Sequence, residues 1–250
     1  MKILGIIPAR YQSSRFPGKP LAVIDGKPMI QRVYEQAQKA SSITELMIAT
    51  DDERIFNAVK TFGGNVFMTS SRHESGTERC AEIVEQLRKD NKHFDIIINI
   101  QGDEPFIDPA QIDLVSQCFT DGSIQISTLA KKIIQTNELF NPNTVKVVAD
   151  KNNMAIYFSR SAIPFCRTKE QNDWLSAHDY YKHIGIYAYR YTTLEAIVKL
   201  KPSMLEKAES LEQLRWIENG YSIYVGITDH ENIAIDTPDD LLKIGKKSSE

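Results

Sequence analysis

Short apolar runs that end in polar turns are the feature that most constrains the fold of this chain. The first run, residues 3–7, reads ILGII and is typical of a strand buried on both faces of a parallel sheet. Pro8 has no N–H to donate to a neighbouring strand, so we expect the strand to end there. A second run, rich in isoleucine, lies at residues 95–100, and segments with helical spacing, such as residues 29–40, lie between the two. Alternating strands and helices predict an α/β fold.

The order of predicted elements changes in the second half of the chain. In the first half we predict strands at 3–7, 46–49, 66–68, 95–100 and 124–130 and helices at 29–40, 53–62 (capped by Asp51), 79–89 and 109–119. In the second half we predict strands at 145–148, 155–159, 184–189, 221–227 and 232–235 and helices at 193–200, 211–219 and 238–246, with a mobile polar loop or lid at 167–179. This order predicts a doubly wound, mixed but mostly parallel sheet. Its nucleotide-binding half would be residues 1–130, an inserted acceptor-binding part 131–230, and a segment returning to the first half 231–250.

Composition excludes several classes of protein. A formal net charge of −3 over 250 residues argues against a general nucleic-acid binder, which needs a basic surface. Cys80, Cys118 and Cys166 are odd in number and far apart, which indicates neither a disulfide framework nor a zinc site. There is no apolar stretch of about 18 residues and no long signal-peptide core, so we expect no membrane span and a cytoplasmic location.

A basic loop follows the first strand. Residues 9–19 contain three cations and two serine hydroxyl groups, those of Arg10, Arg15, Lys19, Ser13 and Ser14. Such a set at the carboxyl end of a strand suits the phosphates of a nucleotide. The spacing matches neither a Walker A loop nor the glycine pattern of a dinucleotide fold. Side chains must therefore contribute to phosphate binding as much as backbone groups. A solvated basic loop is the alternative.

Two aspartates directly follow predicted strands. Asp103 comes after a turn at Gly102, and Asp236 comes after the strand at 232–235. The doubly wound topology can bring both carboxylates beside the basic loop. Carboxylates and substrate phosphates are the ligands that Mg²⁺ prefers, so we predict a Mg²⁺ site held by Asp103 and Asp236. As an alternative, Asp236 is the N-cap of the last helix.

Other polar residues are candidates for binding, and each has a structural alternative. Ser75 and Gly76 begin a helix whose entry suits a base or ribose, but the same stretch has a capping-box pattern. The second half contains a cation, an imidazole, a phenol, a carboxylate and an amide that together suit a polyhydroxylated acid: Arg160, His183, Tyr187, Glu212 and Gln213. Individually these residues prove nothing, because a lone histidine on a strand is more often structural and the helix after Glu212 has an apolar face.

The motifs as a set resemble those of one family. In chain order they are IPARYQSSRFPGKPL, HESGTER, NIQGDEP, PNTVKVV, YFSRSAIP, HIGIYAY, LEQLR and IDTPDDL. The set resembles the 3-deoxy-manno-octulosonate (Kdo) cytidylyltransferases, also called CMP-Kdo synthetases, over nearly the whole chain. The first motif and QGDEP are shared loosely with other cytidylyltransferases of sugar acids, whereas HESGT, HIGIYAY and LEQLR are more specific to the Kdo enzymes. Glu78 stands where the family usually has aspartate, which leaves the charge unchanged.

The resemblance implies that CTP and Kdo react to give CMP-Kdo and pyrophosphate, for lipopolysaccharide synthesis. It implies a homodimer that uses part of the second half as its interface. Arg15, Lys19, Asp103 and Asp236 would carry the catalysis. The nucleotide would be bound by Ala9, Arg10, Ser14, Arg15, Lys19, Ser75, Gly76, Arg79 and Gln101, Mg²⁺ by Asp103 and Asp236, and the sugar acid by Arg160, His183, Tyr187, Glu212 and Gln213.

Two alternatives stay open at the level of sequence. One is a cytidylyltransferase for another sugar acid, such as 8-amino-Kdo or sialic acid, which would differ in the acceptor-binding part. The other is a nucleotide sensor without catalytic activity, which the presence of both Asp103 and Asp236 disfavours.

Overall fold

The computed structural model describes residues 1–12, 16–231, 234–235 and 237–241. The chain divides into two compact units, the first formed by Met1–Asp113 with the described residues of Asn232–Glu250, and the second by Leu114–Glu231. The strand at 126–132 pairs with later strands of the second unit, and the functional division at residue 130 stays a prediction.

Unit 1 has a parallel sheet with connecting helices. Its elements are β1 (Ile3–Ala9), β2 (Val23–Ile24), β3 (Lys27–Pro28), α1 (Met29–Ala37), β4 (Glu45–Thr50), α2 (Glu53–Thr61), β5 (Val66–Met68), α3 (Gly76–Lys89), β6 (Ile96–Asn99) and the first part of α4 (Pro109–Gln117), with a 3₁₀ turn at Lys19–Leu21. The order of its main strands is β6-β1-β4-β5, and all three pairings are parallel. A helical segment at 238–241 belongs to the same unit.

Strand β1 extends beyond its predicted end, and Pro8 lies inside it. The Ile100 N–H donates to the Ile6 carbonyl over 2.9 Å, so residues 6 and 8 of β1 direct their bonding groups toward β6. The paired part of β6 ends where Asn99 lies opposite Ile6. A missing N–H at Pro8 therefore costs no ladder bond, and β1 continues along β4 to its last pair with Thr50.

Two helix starts show how the polar turns act. The N-cap of α2 is Asp52, whose Oδ1 accepts a bond from the Arg54 N–H over 2.9 Å. The prediction of Asp51 as this cap was wrong, since its carboxylate is taken by the guanidinium of Arg79 at 2.6 Å. The predicted capping box of Ser75 is confirmed at the start of α3.

Unit 2 has a mixed arrangement of strands. Its elements are the rest of α4 and β7 (Ile126–Lys132), α5 (Thr136–Leu139), β8 (Lys146–Ala149), β9 (Ala155–Ser159), α6 (Trp174–Ala177), β10 (Tyr181–Arg190), α7 (Tyr191–Ile197), α8 (Met204–Glu209), α9 (Gln213–Glu218) and β11 (Ile223–Ile227), with 3₁₀ turns at Cys118–Thr120 and Gln171–Asp173. Strand β10 is antiparallel to β7 and β8, β8 is antiparallel to β9, and β11 is parallel to β7. The parallel strands of unit 1 and the mixed strands of unit 2 confirm the predicted mixed, mostly parallel α/β class.

The structure differs from the prediction at three places in the second half of the chain. The polar stretch at 167–179 is not an open loop: Trp174 is 3% exposed and packs against Tyr180 in a small apolar cluster. Helix α8 was not predicted; it has only six residues, none of them is buried, and Met204 is exposed. The predicted strand at 232–235 lies partly outside the described residues, and residues 234–235 are not in a strand.

Two further observations concern the described residues. No helix among them is long and apolar enough to cross a membrane. Cys80, Cys118 and Cys166 are all free thiols, and Cys80 is buried.

Candidate active site

The strand order of unit 1 reverses between β1 and β6, and loops from both strands meet there. From β1 the chain builds outward through β4 to β5, whereas the later strand β6 adds on the other side of β1. Ligands of α/β proteins bind at the carboxyl ends of the strands at such a reversal. A side chain on Gly102, after β6, would place its Cβ 2.6 Å from the Pro8 carbonyl oxygen of β1. Glycine is therefore required at position 102 because the two backbones approach so closely.

Lys19 and Asp103 form an ion pair at this reversal. The Nζ atom of Lys19 lies 2.7 Å from Oδ2 of Asp103, and the two side chains are 15% and 26% exposed. Lys19 starts a 3₁₀ turn after Gly18, which has a φ of 74°. Both side chains keep part of their surface exposed, so a bound ligand can reach the two groups.

The return segment is anchored beside Asp103. The Ile235 N–H donates to the Asp103 carbonyl oxygen over 2.9 Å, and its side chain is fully buried against Ile24 and Met29. Asp236, the next residue and the second predicted metal ligand, lies outside the described residues, as do the loop residues Ser13, Ser14 and Arg15.

The rest of the basic loop is held by an aromatic contact that the sequence analysis missed. Tyr11 accepts a backbone bond from the Gly18 N–H over 2.8 Å, which closes the loop. The guanidinium of Arg54 lies 3.2 Å from the centre of the Tyr11 ring. Arg10 is exposed, and Ala9, the last residue of β1, is buried. A tyrosine within a basic loop was the signal that could have indicated this stacking.

The predicted cytidine-binding residues occupy different environments. Ser75 caps α3, and a Cβ on Gly76 would lie 3.2 Å from Pro8 Cγ and 3.4 Å from Asn99 Nδ2. The start of α3 therefore packs against the ends of β1 and β6. Gln101 is half-buried in the loop after β6.

Arg79 is fully buried, unlike a residue that lines an open site. Its Nη1 donates to Thr69 Oγ1 over 2.8 Å and to the Ser70 carbonyl over 3.2 Å, and Nη2 donates to Asp51 over 2.6 Å. These contacts support the backbone around residues 69–70. The Nε atom of Arg79 is also buried and has no hydrogen-bond partner among the described residues, so the contact of Arg79 with the nucleotide stays a prediction.

Asn99 is a site candidate that the sequence analysis did not select. Its Oδ1 is buried and accepts no hydrogen bond from the described residues, and its Nδ2 faces Gly76. Buried polar atoms in native proteins are nearly always paired, so an unpaired acceptor at this edge suits a ligand donor. A polar residue at the end of the otherwise apolar strand β6 was the available signal.

The predicted sugar-acid residues lie in unit 2, and two of them contact each other. The rings of His183 and Tyr187 on β10 have centroids 5.2 Å apart. Burial lowers the pKa of the His183 imidazole to about 3, so the ring is neutral at pH 7. Burial, with a smaller contribution from the charge of Glu212, raises the pKa of the Tyr187 hydroxyl, which stays protonated.

Helix α9 brings Gln213 and Glu212 to the same part of unit 2. Trp216 of α9 packs edge-on against Tyr187 with ring centroids 5.1 Å apart. Gln213 Nε2 and the Tyr187 hydroxyl are both buried, and neither has a hydrogen-bond partner in the described part of the chain. A ligand with several hydroxyl groups would satisfy both.

Arg160 is held by backbone carbonyls at the end of helix α8 and by that of Pro142. Its Nε donates to the Glu209 carbonyl over 2.7 Å, Nη1 to the Pro142 carbonyl over 3.1 Å and Nη2 to the Ser210 carbonyl over 3.4 Å. These bonds use three of the five N–H donors of a guanidinium. The buried ammonium of Lys146, which the sequence analysis did not select, donates to the Arg160 carbonyl and fixes the same turn.

Of the two residues predicted to bind Mg²⁺, the structure describes only Asp103. Within the described ranges, no group of three or more His, Cys, Asp or Glu side chains is placed to hold a metal. Asp103 provides a partly exposed carboxylate, and its Oδ2 is already bonded to Lys19. Mg²⁺ commonly takes one or two carboxylates together with substrate phosphates, and the donor chemistry of Asp103 agrees with this.

Comparison with known proteins extends over the whole chain. A cytidylyltransferase family model matches residues 4–227. The 3-deoxy-manno-octulosonate cytidylyltransferase of Parabacteroides distasonis is 57% identical over 97% of this chain and 96% of its own length. That of Bacteroides thetaiotaomicron is 57% identical over 96% of each chain. A solved structure of CMP:2-keto-3-deoxy-manno-octonic acid synthetase complexed with CTP has a TM-score of 0.90 and 42% identity, covering 100% of this chain and 99% of that one.

The identities and the full coverage support a single assignment, and the motifs quoted above occur in their expected order. The chain belongs to the cytidylyltransferase family, and within it to the 3-deoxy-manno-octulosonate cytidylyltransferases.

Proposed function

We propose that this protein transfers CMP from CTP to Kdo, giving CMP-Kdo and pyrophosphate for lipopolysaccharide synthesis. The observation that carries the proposal is the contact of Lys19 with Asp103, which joins the basic loop and the QGDEP loop at the strand-order reversal. Phosphate-binding cations and a metal-binding carboxylate are the groups that nucleotidyl transfer needs at one place. The names of the relatives favour Kdo as the acceptor.

The triphosphate is proposed to bind the basic loop. The ammonium of Lys19 neutralises phosphate charge, and we assign Arg10, Ser14 and Arg15 to the same task. Around the cytidine we place Ala9, Ser75, Gly76, Arg79, Gln101 and Asn99.

Asp103 and Asp236 are proposed to hold Mg²⁺ with the phosphates of CTP. When bound, Mg²⁺ neutralises phosphate charge and polarises the phosphoryl group. Lys19 would exchange its bond with Asp103 for one to a phosphate oxygen, and the Asp103 carboxylate would then be free to hold the metal ion. The location of Ile235 against Asp103 supports the inclusion of the residue that follows it in the sequence.

The sugar acid is proposed to bind the polar residues of unit 2. We assign Arg160 to the carboxylate of the sugar acid, because a guanidinium is always charged. His183 is not suited to this role, since burial lowers its pKa to about 3 and keeps it neutral. His183, Tyr187, Glu212 and Gln213 then bind hydroxyl groups of the sugar. The two unpaired atoms, the Tyr187 hydroxyl and Gln213 Nε2, support this assignment.

The chemical step is proposed to be a direct in-line displacement. The anomeric hydroxyl of Kdo attacks the α-phosphorus and gives its proton to solvent water, the bond from that phosphorus to the bridging oxygen breaks, and pyrophosphate leaves with the electron pair. Such reactions depend on positioning and charge stabilisation more than on a protein nucleophile. The roles of the chain are therefore to align the two substrates and to neutralise the leaving group through Lys19 and Arg15.

Pyrophosphate release tests the proposal. The protein is supplied with CTP, Mg²⁺ and one acceptor at a time: Kdo, 8-amino-Kdo or sialic acid. We expect pyrophosphate release with Kdo, and we expect EDTA to abolish it. Release with another acceptor at a higher kcat/KM would replace Kdo while keeping the nucleotide chemistry. No release with any acceptor, together with CTP binding, would favour a nucleotide sensor. Sedimentation equilibrium tests the accompanying proposal of a homodimer, which a purely monomeric protein would refute.

A further inference from the structure

Thr128 is a buried hydroxyl on β7 that contacts His183. We propose that Thr128 is a positioning residue that holds His183 as the Nε2–H tautomer, so that Nδ1 is a bare acceptor for a hydroxyl group of the acceptor substrate. The identity of that substrate rests on the proposed function, whereas the tautomer does not.

The geometry around Thr128 arises from an irregularity in the pairing of β10 with β7. Leu129 lies opposite Ile184 and Thr128 lies opposite Tyr187, so β10 advances three residues while β7 advances one. The fully buried Thr128 hydroxyl points at this irregularity. Its Oγ1 lies 2.8 Å from the Ile186 carbonyl oxygen, 3.2 Å from that of Ile184 and 2.9 Å from His183 Nε2.

The number of available protons decides which atom is the donor in the hydrogen bond between Thr128 Oγ1 and His183 Nε2. A hydroxyl has one proton to donate and two lone pairs that accept. The carbonyls of Ile184 and Ile186 can only accept, so the Thr128 proton must be directed at them. If it pointed to His183 instead, both carbonyl oxygens would face the hydroxyl oxygen without a proton between them. His183 Nε2 must therefore carry the proton that reaches Oγ1.

A neutral imidazole has a single N–H, which leaves Nδ1 of His183 as an acceptor. The ring is neutral, because burial lowers its pKa to about 3. The imidazole packs against two aromatic rings, each with its centroid 5.2 Å away. The Phe158 ring is perpendicular to it and the Tyr187 ring is tilted. The Tyr187 hydroxyl lies near that of Thr128, which partly offsets the rise of the Tyr187 pKa, and it has no hydrogen bond of good geometry within the described part of the chain. A neutral acceptor beside a phenol recognises a hydroxyl group and offers no charge to a carboxylate.

The first test is made on the ligand-free wild-type protein. Histidine labelled with ¹⁵N gives two-bond and three-bond couplings that identify the tautomer of each of the five histidines. The signals of His183 are assigned from their loss in His183→Gln. We expect protonated Nε2 and bare Nδ1 at pH 7. A protonated Nδ1, an imidazolium, or rapid exchange between tautomers would overturn the proposal.

The second test compares Thr128→Val, which removes the hydroxyl at nearly constant shape, with Thr128→Ser, which keeps it. In Thr128→Val we expect loss of the single tautomer and an increase of about tenfold in KM for Kdo, the effect of one neutral hydrogen bond, with KM for CTP unchanged. Thr128→Ser should restore both.

An unchanged tautomer and an unchanged KM in folded Thr128→Val would refute the role of Thr128, and if this variant does not fold, the wild-type spectrum decides. Wild-type protein that shows the expected tautomer but does not use Kdo would refute the proposed function alone.

Discussion

The Nζ atom of Lys19 lies 2.7 Å from Oδ2 of Asp103, in a contact between residues that are 84 positions apart in the sequence. The loop after β1 and the loop after β6 thus present a cation and an anion at the same point. In this contact each group neutralises the other. Binding of CTP and Mg²⁺ would give each a new partner of opposite charge, so the pair keeps both side chains in place before the substrate arrives.

Replacement of Asp103 by asparagine should separate catalysis from stability. Asp103→Asn keeps the size of the side chain but removes the charge that a divalent cation needs. We expect turnover to fall about a hundredfold or more, while the free energy of unfolding changes by about 1 kcal/mol or less. Pyrophosphate release at saturating CTP and Kdo measures the first quantity and urea denaturation the second. Asp90→Asn, at an exposed carboxylate after α3, is the control and should leave both unchanged. Near-normal turnover of Asp103→Asn would refute the metal assignment.

Replacement of Lys19 should weaken use of CTP in particular. In Lys19→Met the side chain keeps most of its apolar stem and loses the ammonium group that is proposed to contact phosphate. We expect kcat/KM for CTP to fall at least tenfold, since a charged hydrogen bond contributes about 1.5–3 kcal/mol, with KM for Kdo little changed. Lys27→Met removes an exposed lysine that pairs with Glu35 at 2.7 Å and should behave as the wild type. Equal effects of the two substitutions would argue against a phosphate role for Lys19.

Much of the fold was predictable from local patterns. The bounds of β5 and β9 match the predicted residues 66–68 and 155–159, because apolar runs between turn residues determine short strands. The errors arose where a tertiary partner decided the outcome. Asp51 has the right position for a cap but pairs with Arg79 from a distant helix, and Pro8 continues β1 because β6 ends beside it.

The candidate site was predicted in the same uneven way. Residues with distinctive chemistry, such as Lys19 and Asp103, were selected and are found in contact. Thr128 and Asn99 were not, since a threonine within a strand and an asparagine at a strand end are common in any scaffold. Their importance depends on a register shift in β10 and on the packing of Gly76, neither of which is visible in the sequence.

The buried pair of Arg79 and Asp51 should matter for stability. Arg79 is 1% exposed in its side chain and lies 2.6 Å from Asp51. Loss of one partner leaves an uncompensated charge, so we expect Arg79→Met to lower the free energy of unfolding by about 3 kcal/mol. The double variant Asp51→Asn/Arg79→Met should be less destabilised than the sum of the two single variants. Lys92→Met, which breaks an exposed pair with Glu45 at 3.0 Å, should change stability by about 1 kcal/mol or less. Additive effects of the buried pair would contradict this account.

Protonation of His183 should contribute to loss of stability in acid. Its pKa is about 3 in the folded protein, against an ordinary value of 6.5 for a solvated histidine, so the unfolded chain binds the extra proton first. This contribution to stability is present above pH 6.5 and decreases as the pH falls from 6.5 toward 3. Between pH 7.5 and 5 it should reach at most about 2 kcal/mol. Urea denaturation of the wild type and of His183→Gln at both pH values measures it, and the variant should lose less stability. An equal loss in both proteins would show that His183 titrates normally.

Substitution of Gly102 tests whether backbone contact between the two loops positions Asp103. An alanine Cβ would lie 2.6 Å from the Pro8 carbonyl oxygen, which belongs to the backbone of a buried strand and cannot rotate away. The loop after β6 must then shift, and Asp103 with it. We expect Gly102→Ala to cost about 1–3 kcal/mol of stability and to lower turnover at least tenfold, since small displacements of catalytic groups have large effects on rate.

Gly122→Ala is the matched control for this substitution. A Cβ at Gly122 has nothing within 4 Å and φ there is not positive, so alanine should leave activity unchanged and stabilise the protein slightly by restricting the unfolded chain. Turnover and thermal unfolding of the two variants are measured side by side. If Gly102→Ala retains normal turnover with reduced stability, the close approach of residue 102 to Pro8 supports the fold but does not position Asp103. If both turnover and thermal unfolding of Gly102→Ala are normal, the loop after β6 moves freely enough to accept a side chain at residue 102.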